Sequence, residues 1–177
     1  MKRLISGRVF LMAVGCAAAL LAGSAMAGEQ AVSIRFAGSG YDTVVDPNQD
    51  SFPVQLTRAG MKGSFGAAQL AITSEWMIHP RACPAGYDLP LSLVNSALVI
   101  TSPDHSQVFG FSQTAWMCVN TSNGLYLGEM SGIYNGGTGR YDGASGEWAV
   151  TFDGATLDPA IGFRSITGAG RGTLILP

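Results

Sequence analysis

The stretch from Tyr134 to Trp148, YNGGTGRYDGASGEW, restricts this chain to folds with a tight corner between two strands. Glycines stand at 136, 137, 139, 143 and 146, where backbone can take a positive φ or approach another strand with no Cβ in the way. Glycine at that density between aromatic-bearing, apolar segments marks sharp reversals and bulges, not a flexible linker. Gly136, Gly137 and Gly139 are assigned to holding the corner. The corner fixes shape and names no reaction.

The chain around it reads as strands. Val32 to Phe36 alternates Val, Ile and Phe with Ser and Arg, the pattern of a half-buried strand. Further strands are expected at Val54–Arg58, Ser64–Met77, Val108–Phe111, Ala115–Val119, Leu125–Tyr134, Glu147–Phe152 and Phe163–Leu176. Leu91–Ala97 is compatible with helix, but Val99, Ile100 and Thr101 favour extended chain, and the segment to Thr101 is read as mostly strand. Pro80, Pro84, Gly86 and Pro90 punctuate a loop around Cys83, and Pro47 and Pro53 another before Val54. Eight to ten short strands with regular turns suit a closed barrel or, alternatively, a sandwich. Glycine stripes favour closure. Gly168, Gly170 and Gly172 share one face of the last strand, and Gly128 and Gly132 share a face with Tyr126, Met130 and Tyr134. Such stripes let strands bend tightly while rings cover the missing side chains.

Lys2, Arg3 and Arg8, an apolar run from Val9 to Ala22 and the Ala25-Met26-Ala27 site make residues 1–27 a secretory leader, cleaved between Ala27 and Gly28. The apolar run is too short for a stable membrane anchor. The alternative is a lipoprotein anchored at Cys16, which follows Ala13-Val14-Gly15. The expected mature protein, residues 28–177, is one domain in the periplasm or secreted medium. Its seven basic and twelve acidic residues give a net charge near −5, which argues against a nucleic-acid partner. Two cysteines remain beyond the leader, Cys83 and Cys118. In an oxidising compartment an even pair reads as a disulfide. A metal pair is the competing reading, and His79 and His105 stand apart from it in separate loops.

Gly136-Gly137-Thr138-Gly139-Arg140-Tyr141, followed by Gly143-Ala144-Ser145-Gly146, resembles the GGTGRF-x-GA-x-G signature of the allene oxide cyclase/dirigent-type β-barrel proteins. The resemblance is specific over about fifteen residues and loose over the last third of the chain. Lys62-Gly63-Ser64-Phe65-Gly66 and Cys83-Pro84-Ala85-Gly86 resemble a secreted bacterial branch. The family implies an eight-stranded antiparallel barrel with an apolar interior, often trimeric, acting on apolar substrates without a protein-bound cofactor. The shared motif belongs to the corner, so no catalytic residue carries over with it.

Among residues that could carry chemistry, Glu129 lies in an otherwise apolar strand and is the first to test as a buried acid. Its bland reading is a carboxylate in solvent, or one paired with Arg164 or Arg171. Tyr126, Tyr134 and Trp148 could line a ligand cavity or simply pack the barrel. Arg140 could hold an anion or hydrogen-bond loop carbonyls. Ser145 lacks a nucleophile elbow and no histidine has a base motif around it, so a serine hydrolase is not expected. No motif for a metal or organic cofactor is visible. Three classes follow: a barrel that binds a small hydrophobic molecule, a cofactor-independent cyclase or isomerase of an apolar substrate, and a structural envelope domain. Binding is the leading expectation, because an apolar cavity needs no acid–base pair.

Overall fold

The computed structural model describes residues 28–43 and 54–177. The expected leader, its cleavage site, Cys16, Pro47 and Pro53 lie outside the described residues. Eight strands follow in order: β1 (Gly28–Thr43), β2 (Val54–Gly63), β3 (Ala68–Ile78), β4 (Leu89–Thr101), β5 (Gln107–Val119), β6 (Leu125–Gly137), β7 (Ser145–Asp158) and β8 (Phe163–Leu176). Each pairs antiparallel with the next, and β8 pairs with β1 to close a barrel. The sandwich alternative is thereby set aside.

Leu91–Ala97 is extended throughout as part of β4, as the strand reading expects. The strand expected from Ser64 starts at Ala68, because Ser64 and Phe65 turn between β2 and β3. One reading changes. Val108–Phe111 and Ala115–Val119 are one strand, β5, because the polar Ser112-Gln113-Thr114 step is absorbed as a register shift against β6 instead of a turn.

Period-two burial sets the interior. Val32, Ile34 and Phe36 on β1, Tyr126, Met130 and Tyr134 on β6, and Trp148 and Phe152 on β7 point inward and are buried. The glycine stripes also face inward, and three of these glycines lie beneath an aromatic ring. A Cβ on Gly168 would stand 2.3 Å from the Phe36 ring, one on Gly128 2.6 Å from Phe152, and one on Gly132 2.7 Å from Trp148. Rings from neighbouring strands thus occupy the space over bare backbone, and the barrel can curve tightly while staying filled.

One end of the barrel is plugged. β6 runs through Gly137 into a 3-10 turn (Gly139–Tyr141) before β7 begins. Gly139 has φ of +61°, a conformation that favours glycine, and a Cβ there would also meet Ser106 Oγ at 2.4 Å. Gly137 is needed for space, since a Cβ would stand 2.3 Å from the Tyr141 carbonyl oxygen. The turn drops Tyr141 inward, where its ring meets Phe65 edge-on at 5.7 Å and its hydroxyl meets Ser102 Oγ at 3.1 Å. Phe65 also meets Tyr134 edge-on at 6.1 Å. This half of the interior is aromatic packing.

Near the opposite end, the Pro-rich segment between β3 and β4 folds back along the outside of β5. Cys83 and Cys118 form a disulfide there, with Cα atoms 5.8 Å apart. Arg81 lies 4.3 Å over the Trp116 ring, and Asp88 accepts hydrogen bonds from the backbone N–H and hydroxyl of Thr121. The disulfide, the stacked pair and the Asp88 bonds fasten the segment at three levels.

Candidate functional site

A group of inward polar side chains lies at the end where β1 finishes and β8 begins. Antiparallel register places Arg164 of β8 opposite Gly40 of β1, Gly40 opposite Thr57 of β2, and Gln55 of β2 opposite Asp42 and Ser74. Gly40 is bare, and the Thr57 hydroxyl occupies the space over it, 2.9 Å from where a Cβ would stand. Arg164, Gln55, Thr57 and Ser74 form a polar arc along β8, β1, β2 and β3. Facing them across an internal cavity of about 40 Å³ are Met117, Tyr126, Met130, Val150 and Phe152, with Phe36, Ile72, Trp76 and Ile166 completing the lining. The cavity is amphipathic by construction, since one group of strands supplies its donors and the opposite group its apolar wall.

The electrostatics centre on Asp42 and Arg164. The Arg164 Nη2 group donates to both carboxylate oxygens of Asp42. Burial pushes the Asp42 carboxyl above its usual range, more strongly than the adjacent guanidinium pulls it down. The pair therefore leaves Asp42 short of the hydration it has lost. Arg164 Nε–H is buried and has no hydrogen-bond partner among the described residues. Its guanidinium carbon lies 5.8 Å from the Tyr126 ring centre. The Tyr126 hydroxyl donates to the carbonyl of Ser165, so this residue presents its ring to the cavity and its oxygen to the strand. Burial, aided by Asp153 and Asp42 and opposed by Arg164, pushes that hydroxyl up to about 12. On the far side, the Trp76 indole N–H donates to Ser74 Oγ at 3.0 Å, which leaves the Ser74 proton free to be given elsewhere.

The residues singled out in the sequence separate. Tyr126 lines the cavity. Tyr134 and Trp148 point inward but pack in other parts of the barrel: Tyr134 against Phe65, Trp148 over Gly132. Burial alone pushes the Tyr134 hydroxyl far above its ordinary range. Glu129 is not a buried acid. Register pairs it directly with Trp116 on the outer face of β6, where it is exposed and accepts the Trp116 indole N–H at 3.1 Å. Neither arginine suggested for it is its partner: Arg164 turns inward to Asp42, and Arg171 lies on the outer face of β8. Arg140 pairs with Asp104 at 3.5 Å and lies over the Tyr141 ring, serving the corner instead of an anion or a carbonyl.

A larger, open concavity runs over the outer faces of β5 to β8 and β1, floored by small side chains such as Ala149, Thr151 and Ala169. Arg35, Arg171 and Glu129 stand on it with the hydroxyls of Ser33, Thr114 and Ser131, all on the outer face and open to solvent. Among the described residues no cluster of three or more His, Cys, Asp or Glu side chains could hold a metal ion, and no helix is long and apolar enough to cross a membrane. The site residues missed in the sequence are Asp42, Gln55, Thr57 and Ser74. Arg164 is two and four residues from Ile166 and Gly168, so extending the inward period would have placed it inside. Asp42 continues the inward period of Val32, Ile34 and Phe36, and only its pairing with Arg164 needs the β1–β8 closure. Compared with protein-family models, curated proteins and solved structures, the chain matches none.

Proposed function

We propose that this protein is an extracytoplasmic β-barrel that binds a small, largely apolar molecule in the cavity between the Arg164 arc and the Met117–Phe152 wall. The observation that carries the reading is the amphipathic lining, in which four polar side chains face an apolar surface inside a barrel whose interior is mostly apolar. Sites for drug-sized ligands span ~300–1,000 Å³. At about 40 Å³ this cavity is far smaller, so binding a molecule of several carbons would require its lining to move. Met117 and Met130 are the lining residues best suited to move, being unbranched and flexible.

The disulfide supports an oxidising compartment, and the leader motif supports export with cleavage after Ala27. N-terminal analysis of the processed protein checks this: a chain beginning at Gly28 agrees, and a lipid-modified Cys16 contradicts it. The closed barrel of eight strands supports the resemblance to the allene oxide cyclase/dirigent-type proteins, which would make a trimer the expected assembly.

The second reading, a cofactor-independent isomerase or cyclase, is favoured by one feature. Asp42, Arg164 and Tyr126 bring a carboxyl of raised proton affinity and a cation beside an apolar surface. Native mass spectrometry of protein purified from its own host tests the binding reading and counts subunits. A retained small molecule, released on unfolding, supports it; a chain with no added mass that also fails to take up small apolar probes overturns it and leaves a structural domain.

A further inference from the structure

We infer that the molecule bound in this cavity carries a neutral hydrogen-bond acceptor, a carbonyl oxygen and not a carboxylate, and that Arg164 Nε–H is the group that reads it. The inference rests on the binding reading above and goes further by naming the chemistry of the ligand's head. Arg164 divides its donors. Its Nη2 group is committed to Asp42, while its Nε–H is buried and unpartnered among the described residues. A buried guanidinium N–H left without an acceptor is costly, so a ligand that supplies one is favoured by the group it completes.

The rest of the arc is also inclined to donate. Ser74 already accepts from Trp76 and retains its own proton for a partner. Thr57 and Gln55 can each donate, and no carboxylate other than that of Asp42 belongs to this group. A carbonyl oxygen offers two lone pairs and no proton, which matches such a wall.

Charge excludes the anion. Asp42 already neutralises Arg164, so a ligand carboxylate would be a second negative charge beside Asp42 in a site poor in water. The raised proton affinity of Asp42 itself shows that this corner resists negative charge. The apolar wall opposite, with Phe152 and Val150, takes the hydrocarbon body.

The test uses the mature disulfide-bonded protein labelled with 15N, and three probes of matched carbon length: pentane, 2-pentanone and pentanoate. The Arg164 Nε–H signal, identified by its loss in Arg164→Lys, is followed during titration. The inference expects 2-pentanone to bind about tenfold more tightly than pentanoate or pentane, a single charge-assisted hydrogen bond's worth, and to move the Arg164 Nε–H signal. In Asp42→Asn the guanidinium loses its counter-charge, so preference should turn toward pentanoate. Equal binding of all three probes with the Arg164 signal unmoved would overturn the inference and leave the binding reading intact. Failure of every probe to shift any cavity residue would overturn the binding reading itself. Should Asp42→Asn not fold, the order of the three probes on the unmodified protein decides the matter.

Discussion

Asp42 grips the Arg164 guanidinium across a sequence separation of 122 residues, fastening the end of β1 to the start of β8 at the seam that closes the barrel. The pair lies beside the cavity, and its energetics are unlike those of a surface bridge. Burial raises the Asp42 carboxyl despite the cation next to it. The folded protein therefore holds this proton more firmly than the unfolded chain does. Between the ordinary carboxylate value and the raised one, stability contributed by Asp42 falls as pH rises.

Two outcomes follow from that sign. The Asp42 carboxyl, followed by NMR, should titrate above the ordinary aspartate value, and Asp42→Asn should melt at or above the unmodified temperature at pH 7. A fall of several degrees would show a net stabilising ion pair. Asp88 behaves oppositely, because the hydroxyl and backbone N–H of Thr121 hold it below the ordinary range. Its contribution is present above that range and lost as pH falls, so acid should loosen the Pro-rich segment first. Hydrogen exchange at Thr121 against pH reads this directly.

Gly168 must stay bare because Phe36 lies on it. Gly168→Val would drive a side chain into that ring and toward the Thr151 carbonyl, 2.6 Å from the position of a Cβ. The expected loss is about 1–3 kcal/mol, the range for overfilling a packed core. Phe36→Ala in the same background should recover part of it. Denaturant melts of the single and double variants check both, and a Gly168→Val protein as stable as its parent would mean the rings do not shape the barrel.

At the corner the demand is conformational. Gly139→Val places a β-branched residue at a φ of +61° and against Ser106, and should cost on the order of 1 kcal/mol or more. Thermal unfolding measures it, and an unchanged melting temperature would show that the turn does not require glycine.

Removing the disulfide by Cys83→Ala with Cys118→Ala should cost about 2–5 kcal/mol, since it opens a loop spanning a sequence separation of 35. Unfolding of the oxidised protein and the double variant compares them. The cavity lies near this bridge through Met117, the neighbour of Cys118, so probe binding should weaken with it.

Much of the architecture was legible in the residues. Alternation, β-branched and aromatic content and turn signals located the strand regions, and the inward glycine stripes at 128, 132, 168, 170 and 172 pointed to tight strand bending and closure. β5, read as two strands, carries a bulge at a polar step that looks like a turn, and β3 starts four residues later than Ser64 because a turn separates it from β2. The site was less legible. Glu129 stood out because it interrupts an apolar segment, yet in a strand the neighbour of an inward residue faces outward, and Met130 is the inward one. Asp42, Gln55, Thr57 and Ser74 are ordinary polar residues near strand ends. Only the barrel's registry brings them together with Arg164.

The central claim, that a small apolar molecule enters this cavity, is tested most directly by the methionine methyl groups. Four methionines follow the leader, and they occupy distinct places: Met117 and Met130 line the cavity, Met61 is buried outside its lining, and Met77 is exposed. With 13C-methyl methionine, titration with 2-pentanone should shift Met117 and Met130 in proportion to occupancy and leave Met61 and Met77 in place. A spectrum in which only Met77 moves, or in which none does up to millimolar probe, would contradict the account.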